Sequence, residues 1–413
     1  MKKIKYSLLL PTYNKSKYLD QTIKSILATN YNNFELIISD DYSNDGTQEL
    51  LAKVKDKRVK ILQPPTKLTQ TKNYEFLLNH ASGDWVTIIG DDDGILPLFF
   101  EKFDRLIEKY SDIQLIHTKP AIYYWEDVED LYGPRVCDYQ NFFNKSSIKN
   151  SKFSLILALC GLKDRTKLPM IYTTGLVKMK LIKQIKSKSK NFFFHSVIPD
   201  YYSMIALLFE TKKYLQVNEP LFWSGVSKFS TGRGTLIYDE TKNNSRDYHF
   251  INKNLKLSKL ISKKLHNIGL SSIYFFECIL NHPYIGDFWK SNFIKYLVLS
   301  SSVINFNFLN KNLKFRIKNN ISKKEFNEEI EKELKTNKLS LSVFFIIHRF
   351  LIFINFFHNI LKSSIKFKNY ILKKISNKNI VLVSKNRDKY YSFNICNDFI
   401  KDQINLINKN EKK

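Results

Sequence analysis

The densest chemistry in this sequence is Asp91-Asp92-Asp93, which follows the apolar run Trp85–Ile89. Three consecutive carboxylates repel one another and add little to stability. Such a stretch is either a solvated acidic turn or a site for a hard divalent cation. Mg²⁺ or Mn²⁺ prefers carboxylate oxygens and also binds phosphate, and a diphosphate leaving group needs this charge neutralisation. A second acidic stretch, Ser39-Asp40-Asp41-Tyr42-Ser43-Asn44-Asp45-Gly46-Thr47, ends another apolar run. Adjacent carboxylates at a strand terminus accept hydrogen bonds from a base N–H or a ribose hydroxyl. We assign Asp41 to a ligand and Asp45 to capping the helix that follows. A third stretch, Pro11-Thr12-Tyr13-Asn14, presents backbone groups beside a helix N-terminus, a geometry that suits a nucleotide and is shared by any plain strand–turn–helix.

The elements that must position these residues alternate between strand and helix. Ile4–Leu10, Phe34–Asp40, Val59–Leu62 and Trp85–Ile89 read as strands. Lys17–Ala28, Thr47–Val54, Thr71–His80 and Leu98–Tyr110 read as the helices between and after them. Repeated β-α units predict an α/β fold with a mostly parallel, doubly wound sheet, whose ligands sit outside the carboxyl ends of the strands. All three polar stretches follow strands. There is no GxxxxGK[ST] phosphate loop, and no GxGxxG after the first strand, which disfavours a dinucleotide fold.

The chain has 413 residues, enough for two or three domains. At 43% hydrophobic and 14% aromatic residues it has the material for sizeable cores. Its net charge of +27, from 66 Lys+Arg against 39 Asp+Glu, favours anionic partners; a Lys-, Asn- and Ile-rich compositional bias would produce the same number. The basic residues are dispersed, with no helix-turn-helix, RRM or zinc pattern, so nucleic acid is not an expected partner. Cys137, Cys160, Cys278 and Cys396 show no metal-ligand spacing, which points to a reduced compartment without structural zinc. The apolar run Tyr6–Leu10 is too short for a signal-peptide core, and a cytoplasmic location is expected.

Strand-PTYN, then SDDYSNDGT about 25 residues later, then ASGDWVTIIGDDDGILP, resembles glycosyltransferase family 2 of the GT-A fold. The resemblance covers roughly residues 5–125 well and 126–235 loosely. It implies an inverting, nucleotide-sugar-dependent transferase, with a UDP-sugar as the default donor. Pro11, Thr12, Tyr13 and Asp41 map to nucleotide-holding positions, and Lys72 to a position where many members have Arg. Members usually read Asp-x-Asp-Asp before a short apolar segment ending in Pro. Counting back from Pro97, this chain has Gly90 at the first Asp, a loss shared by some members. The metal-ligating position then falls on Asp92, with Asp91 near the ribose.

An inverting transfer needs a carboxylate to take the acceptor hydroxyl's proton. The resemblance places it at Asp200, where Ile198-Pro199-Asp200 opens an apolar helix; a simple helix cap is the competing role. Ser224–Thr235 reads as a glycine-containing mobile loop, with Lys228 and Arg233 within reach of a diphosphate. His195 has no second ligand at metal spacing and reads as a packing residue.

After about residue 245 acidic residues thin out and long helical patterns dominate. The expected organisation is a nucleotide-binding half at 1–120, an acceptor-facing half at 121–242, and a helical, basic region at 243–413. Ser342–Lys362 is the most apolar stretch. Its polar residues His348, Asn355, Asn359 and Lys362 fall on one stripe, and Arg349 argues against a membrane span. It reads as an interfacial helix or a buried domain helix; with the lysines of Ile365–Lys378, the first reading implies attachment to the cytoplasmic face of an anionic membrane, beside a glycan or lipid-linked acceptor. A nucleotidyltransferase lacks support because PTYNKSKYL has no glycines, and intact Asp92 and Asp200 argue against a catalytically inactive scaffold.

Overall fold

A computed structural model describes residues 4–129, 135–140, 146–163, 167–230, 271–309, 322–357 and 379–383. β1 (Tyr6–Thr12), β2 (Phe34–Asp40), β3 (Val59–Leu62) and β4 (Trp85–Ile88) form a parallel sheet in the order β4-β1-β2-β3. α1 (Ser16–Leu27), α2 (Thr47–Ala52) and α3 (Gln70–His80) connect them. Strand residues alternate between two apolar layers. Leu8, Leu10, Leu36 and Ile38 pack with Leu19, Ile23 and Ile26 of α1, and with Phe99, Phe100 and Phe103 of α4 (Phe99–Lys109). Leu9 and Ile37 pack on the other side with Tyr74, Leu77 and Leu78 of α3. Burial on both faces is why these strands appear as continuous apolar runs.

Past β4 the sheet becomes mixed. β9 (Gly175–Lys178) lies between β4 and β6 (Leu115–Tyr124), antiparallel to both. β10 (Lys213–Val226) runs parallel to β6 and antiparallel to β5 (Gly94–Ile95) and β8 (Ser146–Asn150). β7 (Arg135–Gln140) and β11 (Asn379–Val383) complete an 11-stranded sheet. Ser224–Val226, expected as loop, is strand: Ser224, Gly225 and Val226 pair with Ile122, Tyr123 and Tyr124 of β6. The Ser-Gly composition misled because this glycine serves a close approach. A Cβ at Gly225 would lie 1.8 Å from the Asp92 carbonyl oxygen.

α5 (Ser151–Leu159), α6 (Met179–Lys188) and α7 (Pro199–Glu210) cover the second layer. α5 ends at Leu159, with Cys160 as its C-cap and then Gly161 at φ +73°. α8 (Ser271–Leu280), α9 (Asp287–Lys290), α10 (Asn292–Leu309), α11 (Lys323–Thr336) and α12 (341–357) make up the C-terminal helices. Phe275, Ile279, Leu297, Phe326 and Leu351 share one buried cluster with Leu155, Ile182 and Ile205, so these helices extend the apolar layer that carries α5–α7. The expected boundary near residue 242 lies outside the described residues, as do Asn359, Lys362 and Ile365–Lys378.

Candidate functional site

The acidic turn sits where β4 ends. Its three carboxylates diverge, each toward its own donors. Asp93, 2% exposed, accepts from Gly90 N (3.1 Å), Gly225 N (2.8 Å) and the Thr173 hydroxyl (2.5 Å). Asp92 accepts from the Ser227 hydroxyl at 2.6 Å, while its carbonyl takes the Trp125 indole N–H at 2.9 Å. Asp91 faces the loop after β1, beside the Tyr13 amide, the Thr12 hydroxyl and Lys15. The buried Thr12 hydroxyl makes no well-formed hydrogen bond of its own. The Thr22 hydroxyl ties the turn to α1 through the carbonyls of Asp91 (3.0 Å) and Asp93 (2.7 Å).

Burial pushes the Asp91 and Asp93 carboxyls up to about 7; Lys15 opposes this at Asp91, and the charge of Asp92 reinforces it at Asp93. Burial also raises Asp92, against the pull of Lys15. The repulsion expected from the sequence is therefore real, but one carboxylate is occupied otherwise than a shared cation site implies. Asp93 holds the end of β10 and the Thr173 segment. No cluster of three ligating side chains occurs among the described residues. Asp92 with Asp91 still fits a cation of the Mg²⁺ kind, which takes one or two carboxylates together with substrate phosphates and water.

The loop after β1 and the end of β2 converge with a segment that the motifs did not include. Lys67 Nζ lies 3.8 Å from the centroid of the Tyr13 ring. Asp41 accepts from Leu68 N at 2.7 Å, and its own N–H donates to Thr12 O at 3.0 Å. Lys67 and Leu68 thus join the loop after β1 to the end of β2. Pro11 lies on β1 opposite Ser39. Asp45 spans two helix starts, accepting from Ser16 N (2.9 Å) and from the Thr47 hydroxyl (2.6 Å). Lys72 is exposed in the first turn of α3, where its backbone N–H donates to the Thr69 cap (3.3 Å).

Asp200 lies in the first turn of α7 behind Pro199. Its approach is held by Glu75 of α3, buried and paired with Lys186 at 2.5 Å, which accepts from Phe193 N (2.8 Å) and Phe194 N (3.1 Å). The Thr71 hydroxyl donates to Ser196 O at 3.0 Å, and the Cys278 thiol of α8 lies 3.4 Å from the Ser196 hydroxyl. Asp200 itself is half-buried, and its buried Oδ1 has no partner among the described residues. Burial pushes its carboxyl up to about 7. Asp200 and the acidic turn act electrostatically on the same two phenols, Tyr74 and Tyr172, whose rings stack at 6.2 Å and 7°. These two rings therefore lie near both Asp200 and the acidic turn.

Beyond β10, Lys228 N donates to Asp127 at 3.1 Å and Lys15 Nζ to Phe229 O at 2.5 Å, which draws this segment over Lys15 and Asp92. Arg233 lies outside the described residues. His195 packs on Tyr202, with Nε2 3.1 Å from Ser189 O. Sequence reasoning missed Lys15, Lys67, Glu75, Asp127 and Tyr172. Lys15 directly follows Pro11–Asn14, and that proximity was the available signal; Lys67 adjoins no motif. Glu75, Asp127 and Tyr172 belong to other elements and carry no local signature.

Residues 7–162 match the family description "Glycosyl transferase family 2". This region is a glycosyltransferase family 2 domain. Its sheet and flanking helices are the GT-A arrangement that membership implies, with a helical region following. The family 2 domain is similar to EpsE of Bacillus subtilis, assigned to the glycosyltransferases, at 32% identity over 29% of this chain and 44% of that protein. It is also similar to the GalNAc(5)-diNAcBac-PP-undecaprenol beta-1,3-glucosyltransferase of Campylobacter jejuni, at 36% identity over 36% of this chain and 55% of that enzyme. The chain thus spans about half the length of these curated relatives. Among solved structures, the S. aureus TarS 1–349 complex with UDP-GlcNAc aligns with 82% of this chain and 93% of its own, at 16% identity and a TM-score of 0.48.

Proposed function

We propose that this protein is an inverting glycosyltransferase that moves a sugar from a nucleotide sugar, with UDP as the nucleotide, to a glycan or lipid-linked acceptor in surface-polysaccharide or glycoconjugate synthesis. The observation that carries this reading is the buried, unpartnered Oδ1 of Asp200, which lies near the same two phenols as the acidic turn. Family 2 membership and the lipid-linked acceptor named for the Campylobacter relative support it.

In this mechanism Tyr13 and Asp41 hold the base and ribose end of the donor, with Pro11 and Thr12 shaping the loop and Lys72 at its rim. Asp92 would hold Mg²⁺ or Mn²⁺, which would supply positive charge for the departing diphosphate, with Asp91 near the ribose. Lys15 and Lys228 add charge at the same end, and Arg233 is a further candidate there. The acceptor hydroxyl attacks the anomeric carbon from the side of Asp200 and gives its proton to that carboxylate. The bond to the nucleoside diphosphate breaks in the same displacement, inverting the centre. A carboxyl near 7 is matched to this work at neutral pH.

Thermal stability against UDP, GDP, CMP and dTDP sugars, each with and without Mn²⁺, tests the reading. One nucleotide class at about 100-fold its Kd is expected to stabilise the protein by about 2.7 kcal/mol, in a metal-dependent way. No response to any nucleotide sinks it.

The same proposal places the enzyme at the cytoplasmic face of an anionic membrane, through α12. Soluble helices bury their apolar stripe; here the polar one faces inward. His348 Nδ1 meets the Ser300 hydroxyl at 2.8 Å, Asn355 donates to Cys160 O at 3.3 Å, and Phe344 and Leu351 are buried beside them. Ile346, Phe350 and Phe353 are turned out, 68%, 60% and 59% exposed, with Arg349 exposed beside them. An outward apolar face with cationic side chains, followed in sequence by Lys362, Lys366 and Lys368, complements an anionic lipid surface. No helix among the described residues is long and apolar enough to cross a membrane. The full chain is expected to float with anionic vesicles and less with zwitterionic ones, and Phe350→Glu with Phe353→Glu to remove the binding. Failure to float sinks the lipid assignment, and a dimer that this double variant dissociates would assign the face to a second copy instead.

A further inference from the structure

The acidic turn has no side chain at its first position, Gly90, and the space that side chain would fill is taken. A Cβ at Gly90 would lie 2.2 Å from the Tyr172 hydroxyl oxygen and 2.5 Å from Asp93 Oδ2. The phenol arrives on Ile171–Thr174, which docks against the end of β4: Ile88 N donates to Ile171 O (2.9 Å) and Thr173 N to Ile88 O (2.8 Å). Thr173 has φ +45°, a left-handed conformation that a β-branched residue adopts only under tertiary constraint. The constraint is visible. The Thr173 hydroxyl donates to the Asp93 carboxylate at 2.5 Å, and the Tyr172 hydroxyl lies near the same carboxylate. Backbone strain of this kind concentrates at functional sites.

Tyr172 is partly exposed. The charges of Asp93, Asp92 and Asp200 all reach it. On the glycosyltransferase reading, on which this inference rests, the diphosphate lies at Asp92 and the attacking oxygen at Asp200. The group held between them is the transferred sugar.

We propose that Tyr172 belongs to the sugar subsite: its hydroxyl, in the place of a side chain at position 90, hydrogen-bonds the transferred sugar. A neutral phenol there, in place of a further carboxylate, makes this part of the site a hydrogen-bonding surface. Asp93 keeps Gly90 N, Gly225 N and Thr173 as donors when the phenol hydroxyl is absent, so the turn itself does not depend on it.

The test uses the full chain with Mn²⁺, and calorimetry with UDP, UDP-glucose and UDP-N-acetylglucosamine as probes. Tyr172→Phe is expected to leave UDP affinity within about threefold and to lower affinity for the preferred UDP-sugar by about tenfold, the scale of one hydrogen bond. Gly90→Ser alone, whose hydroxyl competes for the same space, is expected to weaken UDP-sugar binding. Combined with Tyr172→Ala it is expected to bind the sugar nucleotide more tightly than Tyr172→Ala alone. Equal sugar-nucleotide affinity in wild type and Tyr172→Phe overturns the proposal. So does a parallel loss of UDP and UDP-sugar affinity, which assigns Tyr172 to holding the turn, or a double variant no better than Tyr172→Ala. If the wild type binds none of the three probes, the UDP-sugar reading has failed first.

Discussion

Asp200→Asn is expected to lower turnover by about 10³-fold while making the protein more stable at pH 8. A general base contributes roughly 10²–10⁴-fold, and asparagine cannot accept the acceptor hydroxyl's proton. The stability gain follows from burial. The carboxyl sits at about 7 in the folded chain against an ordinary 3.8, because folding moves it out of water without giving Oδ1 a partner. Between those two values the unfolded chain ionises more readily than the folded one, so stability is lost as pH rises. Above 7 the folded protein bears the whole penalty, and below about 4 it bears none. Asparagine removes the penalty, by an amount on the order of a few kcal/mol at most, since the residue is not fully buried and lies at a helix N-terminus that favours its charge. Urea unfolding of wild type and variant at pH 4 and pH 8 measures this: the curves should coincide at the lower pH and separate at the higher. The wild-type rate should rise as pH increases through about 7, since only ionised Asp200 accepts the proton. A variant with wild-type turnover would remove Asp200 from the mechanism. Lower stability at pH 8 would mean that the carboxylate is a structural cap.

Asp92→Ala is expected to abolish the metal-dependent response to nucleotide while leaving the fold intact. The backbone bond from Trp125 to the Asp92 carbonyl survives the substitution, and Asp93 still anchors β10 through Gly225. What disappears is the carboxylate that meets Ser227 and faces Lys15. Wild type at about 100-fold its Kd for nucleotide and Mn²⁺ should gain about 2.7 kcal/mol, and the variant close to none. Without ligand, the variant should unfold at the same temperature or slightly higher, because a buried charge has gone. A variant that keeps the full metal-dependent shift would move the cation elsewhere, with Asp91 the next carboxylate to replace.

These two residues differ in how legible they are. Asp92 follows an apolar strand and precedes a short apolar segment ending in Pro97, so local pattern and family spacing both find it. Asp200 is found by Pro199 and the apolar helix after it, but nothing local separates a base from a cap. The unpartnered Oδ1 bears on that choice, and it arises from α3, α8 and the Glu75 contacts. Asp93 shows the opposite failure. Its neighbours in sequence imply a shared cation site, whereas its partners Thr173 and Gly225 come from 80 and 132 positions away.

By itself the sequence determined the parallel half of the sheet and the polar loops after β1, β2 and β4. Parallel strands buried on both faces are written as unbroken apolar runs, and a ligand at their carboxyl ends requires polar residues immediately afterward. Tertiary structure alone decided what Gly90 and Gly225 are for, that Tyr172 fills the position 90 cavity, that Ser224–Val226 is strand, and that α12 turns its apolar face outward. Each depends on atoms brought close from distant parts of the chain. Local propensity reports only which conformations a segment tolerates, while packing between segments selects among them.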